Sequence, residues 1–145
     1  MTYDEIVEES KKDIFSNEVV DLDAESLIIP HLHQKWSIIL MEEKMRLRMI
    51  ERKQSKWVRI MFEYYTGKLD KNELDEYHLK PFALKILRSD VDKYLNADEK
   101  LNDMEDKIVF QQNLVAFVDR KLKEISSRQW NIKAAIEHRK FMSGG

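Results

Sequence analysis

The sequence has no cysteine, three glycines and two prolines in 145 residues. Without cysteine there is neither a disulfide nor a thiolate metal site, which fits a reducing cytoplasm. With glycine only at 67, 144 and 145, a glycine-rich phosphate cradle cannot be built. Thr66-Gly67-Lys68 echoes the end of a P-loop, but Phe62 stands where the first glycine is required and Leu69 replaces the hydroxyl residue. Apolar runs are short: Leu27–Pro30 and Ile38–Met41 fall far below the ~18 residues of a membrane span. The acidic start, Met1 to Glu9, is wrong for a signal or transit peptide, so the expectation is a soluble, intracellular protein.

What is abundant is charge and helix-forming residues. Charged residues are 36% and hydrophobic residues 43% of the chain, with a formal net charge of −2. So few breakers among so much Lys, Glu, Leu, Ile and Met predict an all-α chain of one domain. The small net charge hides segregation: residues 1–29 carry −7, 30–59 carry +5, 60–106 carry −5 and 107–145 carry +5. Blocks of this size can pair subunit to subunit, leave a basic face free for a polyanion, or be no more than solvated helix surface.

Along the chain, Thr2 with Glu5 forms a capping box for a first acidic helix to about Phe15, with Ile6, Val7, Ile14 and Phe15 at helical spacing. Ser16–Asp23 reads as irregular, completing an acidic N-terminal segment over 1–29. Pro30 suits a first helical position and Gly67 a C′ position, so a long basic helix is predicted over 30–65, roughly 54 Å at 1.5 Å per residue. Asn72–Tyr77 suits one or two turns, and Phe82, Leu84 and Ile86 alternate weakly like a strand. Ser89 is the expected cap of a short helix to Leu95, and Asp98 of the next. From 98 to 126, Leu101, Met104, Ile108, Gln111, Val115, Val118, Leu122 and Ile125 step alternately by three and four, a coiled-coil-like seam. Ser126-Ser127 breaks that pattern before a short basic helix over 128–141. The predicted architecture is a long helical hairpin, 30–65 packed on 98–126, with short terminal helices.

The functional signal lies between Lys44 and Arg59, where Lys44, Arg46, Arg48, Arg52, Lys53, Lys56 and Arg59 meet the single acid Glu51. Positions 48, 52, 55 and 59 share one helix face, so Arg48, Arg52 and Arg59 form a row. Leu40, Leu47, Ile50, Trp57, Met61 and Tyr64 form a buried type of stripe. Phosphates call for cations in a line and unpaired bases for ring faces. Trp57 beside Lys56 and Arg59, with Tyr64 and Tyr65 beyond, offers both. The alternative is equally concrete: the rings are core and the arginines pair with acids of the same chain. Candidate DNA-binding residues are thus Lys44, Arg48, Arg52, Lys53, Lys56, Trp57 and Arg59. Candidate oligomer contacts are Trp130, Ile132, Ile136 and Phe141. His31, His33, His78 and His138 lack metal-site spacing, and the carboxylates at Asp98, Asp103, Glu105 and Asp106 lack that of a calcium loop. No catalytic, metal or cofactor residue is expected, and no enzyme.

The residues Glu8-Glu9, Lys11-Lys12-Asp13 and Phe15, then Lys35-Trp36, Tyr64-Tyr65-Thr66-Gly67, Leu87 with Ser89-Asp90, Ser127-Arg128, Ile132-Lys133, and Arg139 with Phe141, taken together, resemble the UvsY family of recombination mediators from T4-like phages. The resemblance covers essentially the whole chain. It implies a ring-shaped homo-oligomer, often described as a heptamer, that binds single-stranded DNA without sequence preference in the cytoplasm of an infected bacterial host. It further implies a role in phage DNA recombination, repair and replication. There it would help exchange a coat of single-strand-binding protein for a RecA-like recombinase, with no bond changed. The family's basic motif, Leu-Lys-Ala-Arg, falls here on Val58-Arg59-Ile60-Met61: Arg59 takes the first basic position, Met61 stands at the second, and Lys56 and Arg52 lie one and two turns back. The competing function is a protein-only helical adaptor, its cationic face docked on acidic helices.

Overall fold

A computed structural model describes residues 1–13 and 22–144. Regular structure among the described residues is entirely helical. It comprises α1 (Tyr3–Asp13), α2 (Leu22–Tyr65), α3 (Lys71–Glu76), α4 (Val91–Ala97), entered through a 3-10 turn at Arg88–Asp90, and α5 (Glu99–Met142). The chain forms two compact units, one of Met1–Met45 with Gln111–Gly145 and one of Arg46–Phe110.

In the first unit α1 is capped as its sequence requires: the Thr2 amide donates to Glu5 Oε2 at 2.7 Å and the Glu5 amide to Thr2 Oγ1 at 3.2 Å. Ile14, Phe15 and the stretch to Asp21 lie outside the described residues. Ile6 from α1, Ile29, Trp36, Ile39 and Leu40 from α2, and Leu114, Val118, Ile125 and Ile132 from α5 make one buried cluster. Trp36 is fully buried, and its indole N–H donates to Asp13 Oδ2 at 3.0 Å, which satisfies the polar edge that a buried indole carries in with it. Lys35 fastens the same corner, donating to Glu9 Oε2 at 2.7 Å and Asp13 Oδ2 at 2.6 Å.

Two helix boundaries differ from those expected. The long helix starts at Leu22 rather than at Pro30, and Pro30 sits inside it. A proline there forfeits an amide hydrogen bond, but Ile29 is buried in the core and Glu25 receives the Arg128 guanidinium through Nε and, at 3.1 Å, Nη2. Burial and a bidentate pair outweigh the local preference. Likewise Ser126-Ser127 ends nothing, because α5 is continuous to Met142. The Ser126 hydroxyl folds back onto the Leu122 carbonyl at 3.2 Å, and Ile125 and Ile132, on either side, are both buried. The one polar residue of the seam, Gln111, is buried and donates to the Glu43 carbonyl at 3.1 Å and carboxylate at 2.7 Å.

In the second unit α2 ends where glycine permits. Gly67 has φ +71°, its amide donates to Tyr64 O and that of Lys68 to Glu63 O, the paired bonds of a Schellman end. Asp70 and Glu73 exchange reciprocal capping bonds at the start of α3, and His78, at φ 55°, closes that helix in the left-handed conformation. Residues 82–87 form no strand; among the described residues they have no strand to pair with. Ser89 caps nothing: it lies in the 3-10 turn, and α4 starts without a side-chain cap. Asp98 does cap α5, accepting from the Leu101 amide at 2.9 Å. Ile60, Met61, Val91, Leu101 and Ile108 are buried, beside a set of rings, Tyr64, Tyr65, Phe82 and Tyr94, with centroids 5.1 to 5.8 Å apart.

Candidate nucleic-acid interface

The helical spacing of 48, 52, 55 and 59 is realised: Arg48, Arg52, Ser55 and Arg59 are all exposed on α2, as are Lys53 and Lys56. These five cations lie in the second unit, and Lys44, also exposed, lies on the portion of α2 in the first. None of the six makes an ion pair among the described residues. Acids that do meet α2 choose other cations or none: Glu9 and Asp13 hold Lys35, and Glu105 accepts from Gln54 at 2.6 Å. Unneutralised guanidinium and ammonium groups in a row on one helix face can attract a polyanion.

The other side of the helix is closed. Leu40 and Met61 of the expected stripe are buried, and Leu47, Ile50, Trp57 and Tyr64 are half-buried. Met61, at the position where the resemblance led one to expect a second basic residue, is 3% exposed. That position belongs to the core in this chain.

Trp57 is more occupied than an open stacking platform. The Lys100 ammonium lies 3.2 Å from its ring centroid, and Tyr77 meets it edge-on at 5.6 Å between centroids. Tyr64 donates its hydroxyl to the Lys80 carbonyl at 2.6 Å and Tyr65 to Asp98 Oδ2 at 2.7 Å. Burial first, and then the bond to Asp98, push the Tyr65 phenol well above its usual pKa. Both tyrosines are structural.

Lys100 sits in an acidic block of the sequence, where nothing in its spacing ties it to Trp57. On α2, Lys53 and Trp57 are one turn apart, so an ammonium seated on the ring stands beside Lys53. Burial, then the Lys53 charge, lower the Lys100 pKa, with Asp98 acting in the opposite direction. A phosphate reaching Lys53 would relieve that repulsion.

At the end of α5, Trp130 and Phe141 are 69% and 80% exposed, Ile136 packs partly on the core, and Ile132 is a core residue. Ile132, expected as an oligomer contact, is 2% exposed within this cluster. Among the described residues no group of His, Asp or Glu is placed to hold a metal, and no helix is long and apolar enough to cross a membrane.

A family model described as "Recombination, repair and ssDNA binding protein UvsY" matches residues 9–145. Crystal structures of the bacteriophage T4 recombination mediator protein UvsY are similar in fold. One, of lattice type II, aligns with a TM-score of 0.81 and 24% identity over 99% of this chain and 98% of that one. Another, of lattice type IV, aligns with a TM-score of 0.80 and 23% identity over 97% of this chain and 99% of that one. No curated protein matches by sequence.

Proposed function

This chain belongs to the UvsY family of recombination, repair and single-stranded-DNA-binding proteins, and on that premise we propose that it is a recombination mediator that takes single-stranded DNA along the exposed cations of α2. In this reading it helps load a RecA-like recombinase onto strands coated by single-strand-binding protein, in the cytoplasm of an infected bacterial host. It changes no covalent bond. The observation that carries the reading is the unpaired row Arg48, Arg52, Lys53, Lys56 and Arg59. Charges that the fold does not neutralise are available to phosphate, and contacts to phosphate carry no sequence preference.

A single protomer offers few phosphate contacts. A ring of copies, a heptamer in this reading, raises affinity because one strand can engage several protomers at high effective concentration. The exposed Trp130 and Phe141 are the apolar side chains we assign to contacts between copies.

The test is a salt titration. Binding of oligo-dT is followed by anisotropy for the parent and for Arg52→Ala with Arg59→Ala, with light scattering to verify equal assembly mass. Each neutralised phosphate contributes about 0.7 to the slope of log affinity against log salt. The double variant should therefore bind more weakly with a slope roughly 1.4 shallower. Equal slopes at equal mass would move the DNA off this face. An assembly indifferent to DNA at every salt concentration would favour the protein-only adaptor.

A further inference from the structure

A cleft of about 640 Å³ opens in the second unit between the end of α2 and the segment leading to α4. Its apolar lining comes from Phe62, Phe82, Ile86 and Val91, its charged lining from Lys68, Lys85 and Arg88, and no acid takes part. None of the three cations makes an ion pair among the described residues. The carbonyl end of α2, which would repel an anion, is largely spent. Phe62 and Glu63 carbonyls accept from the Thr66 hydroxyl, and Glu63 and Tyr64 carbonyls from the Lys68 and Gly67 amides.

The segment along this cleft is unusual in what it leaves unmade. Among the described residues no backbone hydrogen bond is formed by the N–H or C=O groups of residues 82–86. Leu84 and Leu87 are 62% and 72% exposed beside them. Open backbone donors and acceptors can bond the main chain of an extended segment of another polypeptide, and the protruding leucines and unopposed cations beside them offer its side chains apolar and charged contacts. Nucleic acid fits less well. The rings at hand, Tyr65 and Phe82, meet each other edge-on at 5.1 Å, and exposed leucine gives phosphate nothing.

We infer that this cleft is a docking surface for an acidic, leucine-bearing peptide segment of a partner protein, held by main-chain bonds to residues 82–86 and by Lys68, Lys85 and Arg88. Its residues are distinct from the cation row on α2, so it can stand or fall without the DNA reading.

The experiment uses the full-length protein and a fluorescein-labelled synthetic peptide alternating Asp and Leu, with an Asn-for-Asp peptide as control. Lys85→Glu with Arg88→Glu changes two exposed side chains, and circular dichroism establishes that the fold is retained. The parent should bind the acidic peptide at least about ten-fold more tightly than the Asn peptide, the scale of a few solvent-exposed charge pairs. The double variant should lose a similar factor while its affinity for oligo-dT stays constant. Equal binding of both peptides, or of the acidic peptide by parent and variant, would overturn the inference. So would loss of oligo-dT binding in the variant, which would make the cleft part of the DNA path.

Discussion

Arg128→Met should uncouple the first turns of α2 from the rest of its unit. The Glu25 side chain is 9% exposed and that of Arg128 21%, so the variant withdraws the guanidinium fork from a carboxylate with little access to water. Removing one partner of a fully buried pair costs about 3–5 kcal/mol. Because Arg128 keeps some solvent, the loss expected here is about 2–3 kcal/mol. Replacing both partners, Glu25→Leu with Arg128→Met, should recover most of it, since neither charge then has to be desolvated. Urea unfolding at fixed protein concentration, followed by helical circular dichroism, gives the equilibrium values. Amide exchange over residues 22–29 shows where the loss falls. Arg128→Met within about 0.5 kcal/mol of the parent, with exchange in that turn unchanged, would refute the argument that this pair helps carry the helix past Pro30.

Pro30→Ala should raise the midpoint of thermal unfolding, because the proline is exposed and inside α2; the gain approaches about 3 kcal/mol if no kink is needed there, and a lower midpoint would show that one is. Lys100→Gln should flatten the salt slope of oligo-dT binding by about 0.7, whereas an unchanged slope would confine Lys100 to propping Trp57. The α1 clamp should fail at both ends of the pH scale. Lys35 first and Lys12 second hold the Glu9 carboxyl below its usual 4.5, so this contribution is present above pH 4.5 and disappears as pH falls through the lowered value. Burial pulls the Lys35 pKa down, but its bonds to Asp13 and Glu9 leave it above 10.5, so that contribution is present below pH 10.5 and disappears at higher pH. Trp36 emission in a Trp57→Phe, Trp130→Phe background reports the release, and an acid limb as large in Glu9→Gln as in the parent would contradict the assignment.

Much of the fold is written locally. The seam from Leu101 to Ile125 is legible because period alone decides which side of a helix is buried, and the end of α2 because Gly67 must supply a positive φ. Its beginning is not, because what overrides Pro30 is the burial of Ile29 together with a pair between Glu25 and Arg128, 103 residues apart. Ser126 misled for the same reason: local preference is weak beside the burial of Ile125 and Ile132. The alternation at Phe82, Leu84 and Ile86 has the look of a strand, but a strand requires a partner that spacing cannot reveal. At the site, the row of Arg48, Arg52 and Arg59 follows from spacing and is exposed as expected. Whether Trp57 is open or covered depends on Lys100 and Tyr77, distant in sequence, and only their placement decides it.

Lysine acetylation read by mass spectrometry, with and without saturating oligo-dT, tests the central claim one residue at a time. Lys53 and Lys56 should be protected by DNA, while Lys11 and Lys123, already paired with Glu8 and Asp119, should react equally in both states. Lys53 and Lys56 reacting equally in both states, with protection appearing on other lysines instead, would contradict the claim that α2 lends its cations to the strand.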